Sequence, residues 1–232
     1  MPRPSLSRPR VFLFDIDNTL LYTGGAGSVA MTRAFEDLYG VPNGFSGVEF
    51  SGRTDLFILE GGLRLHGVEG SAMDHLDAFT SRYYALLPDS IEKCRADGCV
   101  MPGFPQLIEV LTGSGATVGL ATGNFSKAGY IKIESYGLSG LFAGGGFGEV
   151  SLDRADVVAA AIRNVANGAA PGDIIVVGDT PHDITAATAN GAGGVGVATG
   201  RDSVDVLRDS GAVDTFADFA DWENAAQRLL EL

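Results

Sequence analysis

The sequence is poor in cysteine, and its two cysteines are not placed as a metal-binding or disulfide set. Cys94 and Cys99 have four residues between them and no Cys or His cluster beside them. This spacing matches neither a zinc site nor a disulfide framework. We expect free thiols in a reducing compartment, and therefore a cytoplasmic protein.

A long apolar run is also missing near the start of the chain. The run that follows residues 1–10 begins at Val11 and stops at Asp15. It is too short for the apolar region of a signal peptide or for a membrane-spanning helix. We therefore expect neither in this part of the chain.

Basic side chains are outnumbered by acidic ones. The 16 Lys and Arg face 29 Asp and Glu, which leaves a formal net charge of −13. Such a surface repels nucleic acids and anionic membranes, so we expect neither as a partner. A hydrophobic fraction of 45% against 19% charged residues excludes a disordered chain. The length allows one large domain, or a core of about 150 residues with an insertion.

Short apolar runs that alternate with helical stretches predict an α/β fold. The apolar runs occupy 11–14, 116–121, 173–177 and 194–198, and helical stretches occupy 105–111, 153–165 and 183–190. Continuous apolar runs are typical of strands buried on both faces of a parallel sheet. We therefore expect a Rossmann-like doubly wound parallel sheet, closed by a strand at 213–216 and a helix at 221–230.

The stretch 22–97 breaks this alternation and predicts an inserted all-helical cap. Its apolar residues recur at spacings of three and four, as in 31–38, which is typical of amphipathic helices and includes no core strand. We expect residues 1–21 and 98–232 to form the core. The cap would then cover the carboxyl ends of the strands, where ligands bind in open α/β sheets.

Acidic residues follow two of the predicted strands. Asp15 and Asp17 come directly after the first, and Asp179 and Asp183 follow a later one. Helix or turn capping is one explanation, because it is a common role of aspartate. If the two strands are neighbours, however, four carboxylates converge at one sheet edge. Hard oxygen ligands without His or Cys then indicate Mg²⁺. The nearby His182 is interpreted as an ordinary residue at a helix N-terminus and not as a ligand.

A third predicted strand ends in Thr122, Gly123 and Asn124, at the start of the next helix. A hydroxyl and free backbone N–H groups at a helix N-terminus form an anion site of the size of a phosphate. A plain N-cap by Thr122 or Asn124 is the alternative. The position at the same sheet edge as the acids favours the phosphate site.

These three segments resemble the sequence motifs of the haloacid dehalogenase (HAD) superfamily of hydrolases. They read Asp15-Ile-Asp-Asn-Thr-Leu, Ala121-Thr-Gly-Asn and Gly178-Asp-Thr-Pro-His-Asp, in this order, with the helical insertion after the first. Within the superfamily the chain is similar to phosphoglycolate phosphatase-like and β-phosphoglucomutase-like members with a helical cap. The resemblance covers residues 10–200.

The resemblance implies Mg²⁺-dependent hydrolysis of a small phosphorylated metabolite, a phosphomonoester, through an aspartyl-phosphate intermediate. It makes Asp15 the nucleophile and Asp17 the general acid and base. An acid at position 17 favours phosphoryl transfer over dehalogenation, because an alkoxide needs a proton to leave and a halide does not. The implied ligands of Mg²⁺ are Asp15, the backbone carbonyl of Asp17 and Asp179, with Asp183 binding directly or through water. The implied ligands of the phosphoryl oxygens are Thr122 and the amides of Gly123 and Asn124.

One motif departs from the family pattern, which places a Lys or Arg before the helix that precedes the last motif. The chain has only three lysines, and none lies in that window. Arg154, at the start of that helix, is the first candidate for the cation that neutralises the phosphoryl group, and Lys132 is the second. A solvated surface charge is the alternative for either.

In the predicted cap, Arg53 lies in Ser51-Gly-Arg-Thr-Asp55, which resembles a recurrent family segment that faces the active site. Its guanidinium fork suits a carboxylate or phosphate of the substrate. The alternative is a helix start, with Thr54 or Asp55 as the cap and Arg53 in solvent.

Two other functions stay open at this point. A phosphosugar mutase uses the same aspartates but returns the phosphoryl group to the substrate, and it differs in how fully the cap excludes water. A non-catalytic protein that binds a phosphorylated ligand or a protein partner is less favoured, because such a binder gains little from crowded carboxylates. The assembly is expected to be a monomer or a homodimer.

Overall fold

The computed structural model describes residues 10–232, and residues 1–9 of the predicted core segment 1–21 lie outside the described residues. The strands are β1 (Val11–Phe14), β2 (Leu21–Tyr22), β3 (Cys99–Val100), β4 (Thr117–Ala121), β5 (Gly145–Gly146), β6 (Ile174–Gly178), β7 (Gly193–Val197) and β8 (Asp214–Phe216). Six of them form a parallel sheet in the order β5-β4-β1-β6-β7-β8.

Helices cover both faces of this sheet. They are α1 (Ala26–Tyr39), α2 (Asp55–Leu65), α3 (Ala72–Cys94), α4 (Gln106–Gly113), α5 (Ser126–Ser135), α6 (Arg154–Val165), α7 (Pro181–Ala189), α8 (Val204–Asp209) and α9 (Trp222–Glu231). Within β1, Phe12 and Phe14 pack with α4 and α9 on one face. Val11 and Leu13 pack with α6 and α7 on the other. The predicted α/β class with a doubly wound parallel sheet is therefore confirmed.

The strands that precede the acidic motifs are neighbours. Phe14 of β1 is paired with Val177 of β6 in parallel register. The next residue after β1, Asp15, donates its backbone N–H to the carbonyl of Val177 at 2.9 Å. Parallel pairing in this register brings both acidic segments to the same carboxyl edge of the sheet.

Two strand features differ from the sequence expectation. Edge strand β5 consists of Gly145 and Gly146, which carry no side chain and therefore leave no apolar pattern to detect. The antiparallel pair β2 and β3 forms a separate small sheet where the helical stretch leaves and rejoins the core. Two-residue strands are too short for a periodicity in sequence.

The predicted cap stretch contains three helices, α1 to α3. Their buried apolar side chains, among them Phe35, Leu59 and Phe79, form one cluster that also includes Phe125 and Ala128 from the core side. Among the described residues, none of the helices is both long and apolar enough to span a membrane. Packing on α5 fixes the helical layer over the edge of the sheet that carries the acids.

We predict that Gly103, where the chain rejoins the core before α4, tolerates no side chain. Gly103 has φ +86°, and a Cβ there would lie 1.7 Å from the carbonyl oxygen of Phe219. Gly115 has φ +90° and no atom within 4 Å of its Cβ position, so it is a matched control. Gly115→Ala should lower the free energy of unfolding by about 1–2 kcal/mol, the cost of a left-handed residue. Gly103→Ala should lower it by more, and equal losses in urea unfolding would contradict the prediction.

Candidate active site

A cavity of about 300 Å³ lies between the carboxyl ends of the central strands and the helices α1 to α3. Core residues that line it include Asp15, Asp17, Gly123, Asn124, Lys132, Arg154 and Asp179. The helical layer adds Met31, Phe50, Arg53, Asp55, Ile58 and Tyr83. Most of the candidate residues predicted from the sequence therefore share one cavity.

Three buried carboxylates crowd together at the core side of this cavity. One oxygen from each of Asp15, Asp179 and Asp183 lies within 4.8 Å of the other two. The three residues are 7%, 3% and 1% exposed. Asp15 extends from β1, Asp179 follows β6 directly, and Asp183 lies in the first turn of α7.

The crowding shifts the proton affinities of the cluster. Burial, together with the charges of Asp183 and Asp15, raises the pKa of Asp179 to about 9. Burial also raises the pKa of Asp15 to about 6, where the Arg154 guanidinium opposes the shift and Asp183 adds to it. Both shifts express an excess of negative charge in a low-dielectric site. A set of close carboxylate oxygens with this excess fits a hard divalent cation such as Mg²⁺.

The side chain of Asp17 does not join this cluster. Lys132 Nζ lies 2.6 Å from Asp17 Oδ2, and Asn124 donates its Nδ2–H to the same oxygen at 2.7 Å. Three of the four carboxylates expected at this edge therefore form the tight cluster, and the fourth, Asp17, is held by Lys132 and Asn124. Asp17 nevertheless lines the same cavity as Asp15, at the same edge of the sheet.

Arg154 lies between two of the clustered acids. Its Nη2 is 2.8 Å from Asp15 Oδ1 and 2.7 Å from Asp183 Oδ1, and it also donates to the carbonyl of Ala121 at 3.1 Å. Arg154 is 7% exposed and Lys132 4% exposed. The surface-charge alternative is therefore wrong for both, since buried cations require partners of the kind found here.

The segment 122–124 only partly matches its expectation. Gly123 and Asn124 line the cavity, whereas Thr122 is completely buried and is not among the lining residues. The hydroxyl of Thr122 accepts from Asn124 Nδ2 at 2.8 Å. Phe125 occupies the N-cap position of α5, so the alternative of a plain N-cap by Thr122 or Asn124 is wrong.

Asp183 serves a capping role as well as joining the cluster. Its Oδ2 accepts from the backbone N–H of Thr180 at 3.1 Å and from its hydroxyl at 2.8 Å, which forms a capping box at the start of α7. The alternative of a capping aspartate therefore applies to Asp183. His182, in the same turn, does not belong to the carboxylate cluster.

The guanidinium of Arg53 is engaged within the helical layer. Its Nε and Nη2 donate to Glu49 Oε2 at 2.8 and 2.6 Å, and the group lies 4.7 Å from the ring centre of Phe57. Thr54 caps α2 by accepting from the N–H of Phe57, as the helix-start alternative predicts. Arg53 lines the cavity, but Glu49 holds the fork that was expected to face the substrate.

The sequence patterns did not single out two cavity residues. Asp55 is 7% exposed, and burial raises its pKa to about 7 although Lys132 opposes the shift. Tyr83 is fully buried at the wall of the cavity. In the sequence, Asp55 matches the position of a helix cap, and Tyr83 lies in a helical stretch at an apolar position. Neither pattern distinguishes a cavity wall from a core.

Comparison with solved structures finds the same architecture over nearly the whole chain. A hydrolase from Pseudomonas syringae has 21% sequence identity and a TM-score of 0.69, with 94% of this chain and 98% of that chain covered. A protein from Clostridium acetobutylicum named as a predicted phosphatase has 18% identity and a TM-score of 0.70, covering 96% and 99%. A protein from Bacteroides vulgatus provisionally named as a β-phosphoglucomutase has 18% identity and a TM-score of 0.69, covering 98% and 92%.

Sequence comparison identifies the family. No curated protein matches the chain. The family model described as haloacid dehalogenase-like hydrolase matches residues 9–191, a span that includes every clustered acid, Arg154 and the segment 122–124. The chain therefore belongs to the haloacid dehalogenase-like hydrolase family.

Proposed function

We propose that this hydrolase is a Mg²⁺-dependent phosphatase that acts on a small phosphomonoester through a phosphorylated Asp15. The observation that carries the proposal is the buried cluster of Asp15, Asp179 and Asp183, with Arg154 held against two of them at the base of the cavity. A binding protein would gain no stability from burying three like charges. The names of several structural neighbours agree with this class of reaction.

Asp15 is the proposed nucleophile. An oxygen of its carboxylate attacks phosphorus, the bond from phosphorus to the leaving oxygen breaks, and a water molecule later hydrolyses the aspartyl-phosphate. Arg154 Nη2, 2.8 Å from Asp15 Oδ1, is placed to neutralise charge on the transferring group. A pKa of about 6 leaves Asp15 largely ionised, and thus nucleophilic, at neutral pH.

Asp17 is the proposed general acid and base. It would protonate the leaving alkoxide and then accept a proton from the attacking water. Lys132 and Asn124 hold its carboxylate from one side. We therefore assign charge neutralisation at phosphorus to Arg154, while Lys132 orients Asp17.

The proposed ligands of Mg²⁺ are Asp15, Asp179, Asp183 and the backbone carbonyl of Asp17. A bound Mg²⁺ would supply the positive charge that lets a carboxylate approach a phosphate dianion. Gly123 and Asn124 line the cavity, and their backbone N–H groups are the proposed donors to the phosphoryl oxygens. The hydroxyl of Thr122, which accepts from the backbone N–H and from Nδ2 of Asn124, supports Asn124 in this role.

The other expectations on partners follow from the size of the cavity and from the charge of the chain. A volume of about 300 Å³ suits a small phosphorylated metabolite. A net charge of −13 opposes nucleic-acid and membrane partners. A cytoplasmic location, and a monomer or homodimer, remain proposals from the sequence.

We predict that Asp15→Asn abolishes turnover of p-nitrophenyl phosphate in the presence of Mg²⁺. Because the amide is a poor nucleophile, kcat should fall by at least about a thousandfold. Chelation of Mg²⁺ by EDTA should have a similar effect on the wild type. Asp205→Asn, in the exposed helix α8, is the matched control and should keep wild-type turnover. Unchanged turnover in Asp15→Asn would contradict the covalent mechanism.

The second candidate function is a phosphosugar mutase. The observation in its favour is that residues 53–55 of the helical layer contact Gly123 beside the proposed reacting centre, and a mutase depends on a cap that limits the access of water there. We expect the wild type to release free phosphate from hexose phosphates at the rate at which substrate disappears. Sustained interconversion of hexose 1- and 6-phosphates with little free phosphate would favour the mutase instead.

A further inference from the structure

The N-terminus of α5 is capped by side chains from other parts of the chain. Phe125, at its N-cap position, has no side-chain oxygen, and its backbone N–H donates to Asp55 Oδ2 at 2.8 Å. The next N–H, from Ser126, donates to Glu149 Oε2 at 2.9 Å. One of the two carboxylates that satisfy this helix end therefore comes from α2 in the helical layer.

Asp55 is not required as a cap by its own helix. Thr54 caps α2 by accepting from the N–H of Phe57 at 3.1 Å. The carboxylate of Asp55 is nevertheless buried, which is unfavourable for a charged group without compensating hydrogen bonds. Its bond to Phe125 supplies that compensation on the core side.

A second hydrogen bond runs in the opposite direction. The backbone N–H of Asp55 donates to the carbonyl of Gly123 at 2.7 Å. The backbone is close enough here that a Cβ on Gly123 would lie 2.2 Å from the carbonyl oxygen of Arg53. Asp55 thus bonds to both ends of the segment 123–125.

The segment 123–125 connects the proposed phosphate site to the proposed general acid. Gly123 and Asn124 line the cavity, and the side chain of Asn124 binds both Asp17 and Lys132. A displacement of this segment would move the proposed phosphate-binding amides together with Asn124, which binds both Asp17 and Lys132.

We propose that Asp55 is a positioning residue through which the helical layer holds the segment 123–125 in the geometry needed for phosphoryl transfer. The inference rests on the proposed function. It adds that the phosphate site has its active geometry only while α2 is packed against the segment 123–125. Asp55 acts through hydrogen bonds to Phe125 and Gly123 and does not contact the reacting atoms.

The test compares Asp55→Ala, Asp55→Asn and Glu149→Ala with the wild type. Asp55→Asn keeps an oxygen acceptor for the N–H of Phe125, and Asp55→Ala removes it. Glu149→Ala removes the other carboxylate at the same helix end, but that carboxylate comes from the loop before α6. It is the matched control for a loss of helix capping alone.

With p-nitrophenyl phosphate and Mg²⁺, kcat of Asp55→Ala should fall by at least about tenfold, because small displacements of positioning groups cost large factors in rate. KM should change less, since the affected groups act mainly in the transition state. Asp55→Asn should stay within about threefold of wild type, because a neutral acceptor keeps much of the bond. Glu149→Ala should keep kcat within about twofold.

Hydrogen exchange provides a readout that does not depend on activity. We expect the amides of residues 123–126 to exchange faster in Asp55→Ala than in the wild type and at the wild-type rate in Asp55→Asn. Should Asp55→Ala fail to fold, Asp55→Asn decides: wild-type exchange and kcat support the inference, and fast exchange with low kcat contradicts it.

Three results would overturn the inference. They are wild-type exchange and kcat in Asp55→Ala, an Asp55→Asn as impaired as Asp55→Ala, and a Glu149→Ala that loses as much kcat as Asp55→Ala. A wild type without any phosphatase activity would contradict the proposed function instead. In that case the exchange rates alone decide whether Asp55 holds the segment.

Discussion

The mutual repulsion of three buried carboxylates constrains how the elements around the cavity are arranged. Asp15, Asp179 and Asp183 come from three different positions in the chain and meet at one edge of the sheet. Arg154, at the start of α6, offsets part of this charge because it reaches two of them. The pairing of β1 with β6 brings the acids together, and the placement of α6 and α7 on one face brings Arg154 to them.

The sequence is most informative where side chains follow the periodicity of an element. The apolar runs predict β1, β4, β6 and β7, because strands buried on both faces need continuous apolar residues. The acids that end these runs predict the edge at which Asp15 and Asp179 meet. The same reasoning does not predict that Lys132 and Asn124 bind the carboxylate of Asp17, because these contacts join parts of the chain that are distant in sequence.

In the helical layer, the sequence predicts the helices but not the contacts of their polar side chains. Spacings of three and four predict helices there, but they do not identify the partner that each polar side chain meets. Arg53 has the chemistry of a substrate ligand, and Glu49, four residues earlier, engages it. Asp55 matches the sequence position of a helix cap, but its carboxylate accepts from the backbone N–H of Phe125 in the core. Such contacts depend on how the helical layer packs on the core. A local sequence pattern does not encode that packing.

The apolar cluster of the helical layer includes Phe125 and Ala128 of α5, so the two parts of the molecule share one interior. Lifting α1 to α3 away from α5 would expose these side chains to water, at about 25 cal/mol for each Å² of apolar surface. A motion that keeps this contact and opens elsewhere has the lower free-energy barrier. We therefore expect substrate to enter and product to leave by a shear motion, in which α1 to α3 slide on α5 without separating from it.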